Sequence, residues 1–165
     1  MNKNVYIILA VIIVLVIVIG GIIYTKNNST PVTTVEYTDS QVTFPSTEGN
    51  VVTNNFLKDE SVAPDVQNPG LYSLGNTFPS AETPSKLPNY VVMFDKNTGT
   101  FNIALLQKPF AQSRLAAEVY LKDLLKIDEE EMCQLSYVVT VPGYVDEVAS
   151  GFDYRFSFCP DTAKL

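Results

Sequence analysis

The chain has no histidine and no tryptophan, and only two of its 165 residues are cysteines. Without histidine it cannot build Ser-His or Cys-His nucleophilic sites, and it lacks the commonest metal ligand. Basic residues are also scarce, because 11 Lys and Arg stand against 18 Asp and Glu, giving a formal net charge of -7. An acidic surface disfavours nucleic acid, whose phosphates require basic partners. We therefore expect no nucleic-acid partner, no metal, no cofactor and no catalytic residues.

One long apolar stretch stands out near the N-terminus. It covers residues 5–23, from Val5 to Ile23, and none of these nineteen residues is charged. As a helix the stretch would be about 28 Å long, which is close to the roughly 30 Å hydrocarbon core of a bilayer. Tyr6 and Tyr24 lie near its two ends, where aromatic rings favour the membrane interface. The stretch predicts a membrane-spanning helix within residues 1–26 and hence a single-pass membrane protein.

The same stretch sets the expected location of the rest of the chain. A four-residue leader before a long remainder favours a cytoplasmic N-terminus and an extracytoplasmic C-terminal domain. The flanking Lys3 and Lys26 do not decide the orientation by themselves. A cleaved signal peptide is the alternative, but its apolar run is only about 7–15 residues long. We expect a retained anchor, and no cysteine follows the run to allow a lipoprotein anchor.

Residues 27–88 differ sharply in composition from the rest of the chain. Asn, Ser, Thr and Pro dominate, and seven of the ten prolines fall between Pro31 and Pro88. Proline cannot donate a hydrogen bond to a β-ladder, and a polar, proline-rich composition disfavours a packed core. The segment is therefore predicted to be a mostly irregular tether that holds a domain away from the membrane.

The remaining residues, 89–165, carry the periodic patterns of a folded domain. Residues 90–94 and 100–107 are β-rich runs joined by turn residues, which predicts a β-hairpin. From Pro109 to residue 127 the apolar period changes to 3.6, which predicts an amphipathic helix.

Two more strands are predicted after this helix. Residues 135–141 alternate apolar and polar positions, and residues 152–158 place four aromatic side chains at period 2. Asp153, Arg155 and Ser157 would lie on the opposite face of that last strand. The order strand, strand, helix, strand, strand predicts an α+β fold, a two-layer ββαββ domain with one helix on a mainly antiparallel sheet.

The two cysteines flank the last two predicted strands. Cys133 lies just before one strand and Cys159 just after the next, so an antiparallel pair would bring them to the same edge of the sheet. In an extracytoplasmic domain an even cysteine count predicts a disulfide, and two buried free thiols are the alternative. Such a bond would stabilise the domain by roughly 3–4 kcal/mol in the chain-entropy model.

Three helix residues depart from the amphipathic pattern. Arg114 falls within the apolar stripe, so its guanidinium either reaches water or Glu118, or holds a carboxylate that is internal or belongs to a ligand. Leu115 and Val119 are apolar residues on the polar face and could contact the tether or a partner. These residues are candidates for an interaction surface, together with three residues of the loop 142–151, namely Tyr144, Asp146 and Glu147.

The acidic run 128–131 permits two interpretations. Asp128 can cap a short second helix while Glu131, three residues on, reaches back in a capping box. A calcium site is the alternative, but the spacing matches no calcium-binding loop. We therefore favour the capping box.

Several motifs in the C-terminal part form one pattern. They are the spacing P-x4-R-x2-A-E that starts at Pro109, the pair Cys133 and Leu135, Pro142, and the sequence Ser157-Phe158-Cys159-Pro160. The pattern resembles that of uncharacterised small bacterial proteins with an N-terminal anchor, chiefly from ultra-small candidate lineages. The resemblance implies a place in the bacterial envelope and implies no activity.

The predicted anchor, tether and domain favour a module for protein interaction or envelope structure rather than an enzyme. We expect it to contact the membrane through residues 5–23 and to bind a protein partner through the loop 142–151 or the outer face of the sheet. The alternatives are a solute-binding or enzymatic ectodomain and a pilin-like subunit. The apolar N-terminal helix and a C-terminal disulfide suggest the pilin, but no Glu follows at the start of the apolar run.

Overall fold

The computed structural model of the chain describes residues 34–76 and 87–165. The stretch 5–23, which we predicted to span a membrane, lies outside these residues. Among the residues that are described, no helix is both long and apolar enough to cross a membrane. The described residues between Thr34 and Leu165 form one compact unit.

Within the described residues, this unit contains eight strands and two α-helices. The strands are β1 (Glu36–Tyr37), β2 (Gln41–Ser46), β3 (Gly49–Asn54), β4 (Val62–Pro64), β5 (Leu71–Leu74), β6 (Tyr90–Asp95), β7 (Thr100–Leu105) and β8 (Ser136–Thr140). The helices are α1 (Phe110–Leu125) and α2 (Glu129–Gln134), and a short 3-10 helix covers Phe56–Lys58.

The strands form two sheets. Strands β1, β2 and β3 make an antiparallel three-stranded sheet, and β4 to β8 follow one another in sequence order across a five-stranded sheet. Strands β4 to β7 are antiparallel to their neighbours, whereas β8 runs parallel to β7, with Phe101 opposite Tyr137 and Ile103 opposite Val139. Helices α1 and α2 connect β7 to β8, because a parallel neighbour requires a long crossover.

One cluster of buried side chains joins both sheets and both helices. Its aromatic centre consists of Phe44 from β2, Phe56 from the 3-10 helix, Phe94 from β6 and Phe101 from β7. The ring centroids of Phe56 and Phe94 are 5.1 Å apart, and those of Phe94 and Phe101 are 4.8 Å apart. Helix α1 covers this centre with a fully buried stripe, Ala117, Leu121 and Leu125.

The predicted ββαββ fold is wrong, because the domain is richer in strands. All five strands missing from the prediction lie within residues 36–74, which we had expected to be mostly irregular. The prolines there do not interrupt the sheets. Pro64 lies in β4, the edge strand of its sheet, and Pro45 lies in β2 beyond Val42 and Thr43, the residues that pair with β1. A proline tolerates such positions because no neighbouring strand needs its missing N–H.

The predicted strand 152–158 is also absent from the structure. The Tyr154 amide donates to the Val139 carbonyl oxygen over 2.8 Å, as a sheet partner would. However, the neighbouring Val139 amide donates to the Asp153 carboxylate over 3.0 Å, so a side chain takes the place of the backbone acceptor. Arg155 then adopts a left-handed φ of 54°, which turns the chain out of the extended conformation. The aromatic alternation from which we predicted a strand therefore reflects only the burial of Tyr154 and Phe156.

Other local predictions are confirmed. Strands β6 and β7 form the predicted hairpin, with Gly99 at a φ of 70° in the turn between them. Helix α1 begins after Pro109 and ends at Lys126, which adopts the left-handed conformation at the C-cap. Strand β8 lies within the predicted run 135–141.

Candidate interaction surface

The loop 142–151 follows β8 and is organised around one carboxylate. The Asp146 amide donates to the Pro142 carbonyl oxygen over 3.2 Å. The Asp146 carboxylate accepts hydrogen bonds from the amides of Val148 and Ala149, both over 3.0 Å. These bonds give three backbone amides of the turn fixed partners within the loop itself, so the loop has a defined shape.

Two further contacts fix the loop to the rest of the domain. Lys108, just before helix α1, forms an ion pair with the Asp146 carboxylate. The Tyr154 hydroxyl donates to the Ala149 carbonyl oxygen over 2.8 Å. The Lys108 ammonium, together with the backbone donors, holds the pKa of Asp146 below its ordinary value. Asp146 is therefore a positioning residue of the loop, and its charged form is the one that the loop favours.

This ordered loop exposes large apolar side chains. Tyr144 is 71% exposed and Val148 is 89% exposed, and Phe152, one residue beyond the loop, is 59% exposed. Glu147, another candidate from the sequence, is exposed beside Val148. We call residues 142–152 the display loop. The amides of Asp146, Val148 and Ala149 are bonded within the loop, so its outward side chains are carried by an ordered backbone and are free to contact a partner.

The outer face of the five-stranded sheet, the other predicted binding surface, has a different character. One row of side chains across it consists of Ser73, Met93, Asn102 and Val138, which are paired from β5 to β8. Asn102 is exposed and the other three are half-buried. This row contains no aromatic anchor of the kind that dominates protein interfaces, so it is the weaker candidate.

Leu115 and Val119 lie one turn apart on helix α1, and both are more than half exposed. They line a shallow cleft of about 180 Å³ together with Phe158 and Lys122. The structure thus brings these two candidates together on one face of the helix, next to the C-terminal segment.

Arg114, in contrast, lies inside the domain. Its Nη1 donates to the carbonyl oxygens of Tyr154 and Ala163 over 3.2 and 3.0 Å, and its Nε is 3.7 Å from a carboxylate oxygen of Glu118. Glu118 in turn accepts hydrogen bonds from the amide and the hydroxyl of Ser157. Of the alternatives left open by the sequence, the structure supports an internal carboxylate, and the pair ties the C-terminal segment to α1.

The predicted disulfide is confirmed. Cys133 and Cys159 are bonded, with their Cα atoms 5.5 Å apart. The bond does not join the ends of two strands as predicted, because Cys133 lies in helix α2 and Cys159 lies in the irregular C-terminal segment. The segment 152–165 is thus held by a covalent bond at Cys159 and by the buried Arg114 at Tyr154 and Ala163.

The capping interpretation of the acidic run is also confirmed. The Glu131 amide donates to the Asp128 carboxylate over 2.9 Å, and the Asp128 amide donates to the Glu131 carboxylate over 3.1 Å. Over residues 34–76 and 87–165, no group of three or more potential ligands is placed to hold a metal ion.

Sequence reasoning missed one residue, Arg155. We had placed it on the polar face of a strand, but its guanidinium carbon lies 5.6 Å from the centroid of the Tyr137 ring, and its side chain lines a cleft beside the disulfide. Contact with the Tyr137 side chain raises the pKa of Arg155 above its ordinary value. No sequence signal identifies this position, because the cleft walls come from distant parts of the chain.

No protein-family model, curated protein or solved structure matches the chain. The function is therefore argued from the geometry of these surfaces.

Proposed function

We propose that this protein is a membrane-attached, extracytoplasmic module that binds a protein partner through the display loop. The observation that carries the proposal is the combination of internal order and outward apolar side chains in that loop. Tyr144 and Val148 are largely exposed, while the carboxylate of Asp146 holds the backbone between them and after them in place.

The energetics of association favour such a loop. Binding must offset the entropy lost when flexible segments become ordered, so a segment that is already ordered binds at lower cost. Aromatic side chains are enriched at the centres of interfaces, where they bury large areas with few rotatable bonds. Tyr144 and Phe152 provide two such side chains. The Lys108 contact and the Tyr154 hydroxyl bond add to the internal order.

Two observations support the proposed location. The Cys133–Cys159 disulfide is of a kind that persists in oxidising compartments outside the cytoplasm. The apolar stretch 5–23 has the length and composition of a membrane anchor. Alkylation of intact cells with and without reductant tests the location, since we expect both thiols to react only after reduction. Free thiols in unreduced cells would contradict an extracytoplasmic domain.

The interaction is tested by photo-crosslinking with the full-length chain in its own membrane. A photoreactive amino acid at Tyr144 or at Val148 is expected to give one discrete adduct with a second protein. The matched control places the same amino acid at Asn102, which is exposed on the outer face of the sheet. An adduct from the display loop that is absent from Asn102 supports the proposal. Equal labelling from both surfaces, or none from the loop, contradicts it.

A further inference from the structure

A second cleft lies beside the disulfide and is built from three separate parts of the chain. The turn between β2 and β3 supplies Glu48, helix α2 supplies Glu129 and Glu130, and the C-terminal segment supplies Arg155 and Asp161. The cleft has a volume of about 420 Å³, which is within the range of small-molecule sites in proteins. We call it the Arg155 cleft. None of its lining residues belongs to the display loop.

Arg155 is held in the cleft wall without an ion pair among the described residues. Its amide donates to the Asp153 carboxylate over 3.0 Å, which fixes the left-handed turn, and its guanidinium lies over the Tyr137 ring. No carboxylate of the described residues lies within ion-pair distance of the guanidinium. The Arg155 Nε and the Tyr137 hydroxyl are both buried and have no other hydrogen-bond partner within the described part of the chain. Contact between these two side chains raises the pKa of Arg155.

A guanidinium with unused donors is suited to a carboxylate. Its planar donors match the two oxygens of a carboxylate, and hydrogen bonds between charged groups are stronger than those between neutral ones.

The charges around Arg155 restrict what this carboxylate belongs to. The cleft lining carries four carboxylates, from Glu48, Glu129, Glu130 and Asp161, and a single guanidinium. Glu129 is paired with Lys122 over 2.8 Å, so the three other carboxylates against one guanidinium leave a formal excess of two negative charges. A simple anion would be repelled by this lining. A simple cation would be attracted by it but would leave Arg155 unpaired. Only a ligand that carries both charges complements the whole cleft.

We propose that the Arg155 cleft binds a ligand that carries both a carboxylate and a side-chain cation, as in a basic amino acid or the carboxyl terminus of a basic peptide. Arg155 takes the carboxylate, and Glu130 of α2 and Glu48 of the β2–β3 turn take the cation. This binding does not depend on the display loop, so either proposal can fail while the other stands.

Matched small molecules test the charge requirement on the full-length chain in detergent micelles. Isothermal titration with L-lysine is expected to show saturable binding. L-lysinamide lacks the carboxylate and L-norleucine lacks the side-chain cation, and each is expected to bind at least about tenfold more weakly. Equal affinity for L-lysine and L-lysinamide would overturn the role of Arg155, and equal affinity for L-lysine and L-norleucine would overturn that of the acidic lining.

Variants locate the site. Arg155→Gln removes the guanidinium, and Arg155→Lys keeps the charge but loses the planar donors, so both are expected to weaken L-lysine binding by about tenfold or more. The control Lys164→Gln removes one positive charge from an exposed residue outside the cleft and should leave the affinity unchanged. Wild-type affinity in Arg155→Gln would overturn the proposal.

A second pair of variants avoids any effect of Arg155 on folding. Glu48 and Glu130 are exposed, so Glu48→Gln combined with Glu130→Gln removes charge from the cleft without disturbing the core. We expect weaker binding of L-lysine than in the control Glu36→Gln with Glu60→Gln, which are exposed outside the cleft. Equal affinity in the two double variants would contradict the proposed cation site.

A comparison with peptides shows whether the ligand is a free amino acid or the carboxyl terminus of a polypeptide. Gly-Gly-Lys with a free carboxyl terminus is compared with its amidated form and with L-lysine. Tighter binding of the free peptide assigns the cleft to a polypeptide terminus, and tighter binding of L-lysine assigns it to a free amino acid. The absence of saturable binding by either at millimolar concentrations would refute the inference.

Discussion

Arg114 and Glu118 lie one turn apart on helix α1, and both side chains are removed from solvent, with 10% and 2% of their areas exposed. Neither residue pairs only with the other. Arg114 donates to the backbone of the C-terminal segment at Tyr154 and Ala163, and Glu118 accepts from Ser157 in the same segment. The pair therefore replaces the strand contacts that this segment lacks.

Removing one charge of this pair should be costly. Glu118→Gln leaves the Arg114 guanidinium buried without its counter-ion, and breaking a buried pair in this way typically costs about 3–5 kcal/mol. We expect a loss of stability of this order in urea unfolding of the full-length chain, followed by tyrosine fluorescence. The control Glu129→Gln breaks an exposed ion pair with Lys122 and should cost less than about 1 kcal/mol. If Glu118→Gln lowered the free energy of unfolding no more than this control does, the Arg114–Glu118 pair would not stabilise the fold as proposed.

Phe56 tests whether the proline-rich part of the chain belongs to the core. Its side chain is fully buried, and its ring centroid lies 5.1 Å from that of Phe94 and 5.7 Å from that of Phe101. Phe56→Ala should lower the free energy of unfolding by about 3–5 kcal/mol, because it leaves a cavity between the sheets. Val66→Ala, at a residue that is 97% exposed in the same segment, should have almost no effect. An unchanged free energy of unfolding in Phe56→Ala would instead support the predicted irregular tether.

Asp146 should control the order of the display loop. Asp146→Ala removes the acceptor for the amides of Val148 and Ala149, so hydrogen exchange of these two amides should accelerate by about tenfold or more. The adjacent Glu147→Ala removes an exposed carboxylate that holds no backbone amide within the described residues, and should leave their exchange unchanged. Unaltered exchange in Asp146→Ala would mean that the loop is ordered by other contacts.

The same carboxylate gives the loop a pH dependence. Since the pKa of Asp146 is lowered in the folded chain, its contribution is fully present above the ordinary aspartate pKa of about 3.9 and is lost as the pH falls through the folded pKa. Protection of the Val148 amide, corrected for intrinsic exchange, should therefore be constant between neutral pH and that value and decline at lower pH. A decline that begins near neutral pH would point to a different titrating group.

The parts of the fold that were predicted correctly are those fixed by local sequence. The β6–β7 hairpin, helix α1 and the capping box at Asp128 depend on periodicity, turn residues and capping residues that lie close together in the chain. The disulfide was predicted from the count of cysteines and the expected compartment rather than from correct geometry.

The parts that were missed depend on contacts between distant residues. Strands β2 and β3 are stabilised because Phe44 packs on Phe94 and Phe101, which lie 50 or more positions later in the chain. No local pattern in the proline-rich segment predicts these contacts. The segment around Arg155 has the pattern of a strand, but the Asp153 carboxylate takes the hydrogen bond that a strand would need. The Arg155 cleft has walls from three parts of the chain, so only the folded structure brings its charges together.

The affinity of the crosslinked partner for the full-length chain is the most direct test of the display loop as a binding surface. Replacing Tyr144 and Val148 together by serine should weaken binding by about thirtyfold or more, as expected for the loss of interface hot spots. Both side chains are exposed, so the fold should be unaffected. Unchanged affinity in this variant, together with a loss of binding when Leu115 and Val119 are replaced by serine, would place the interaction on helix α1 and contradict a binding role for the display loop.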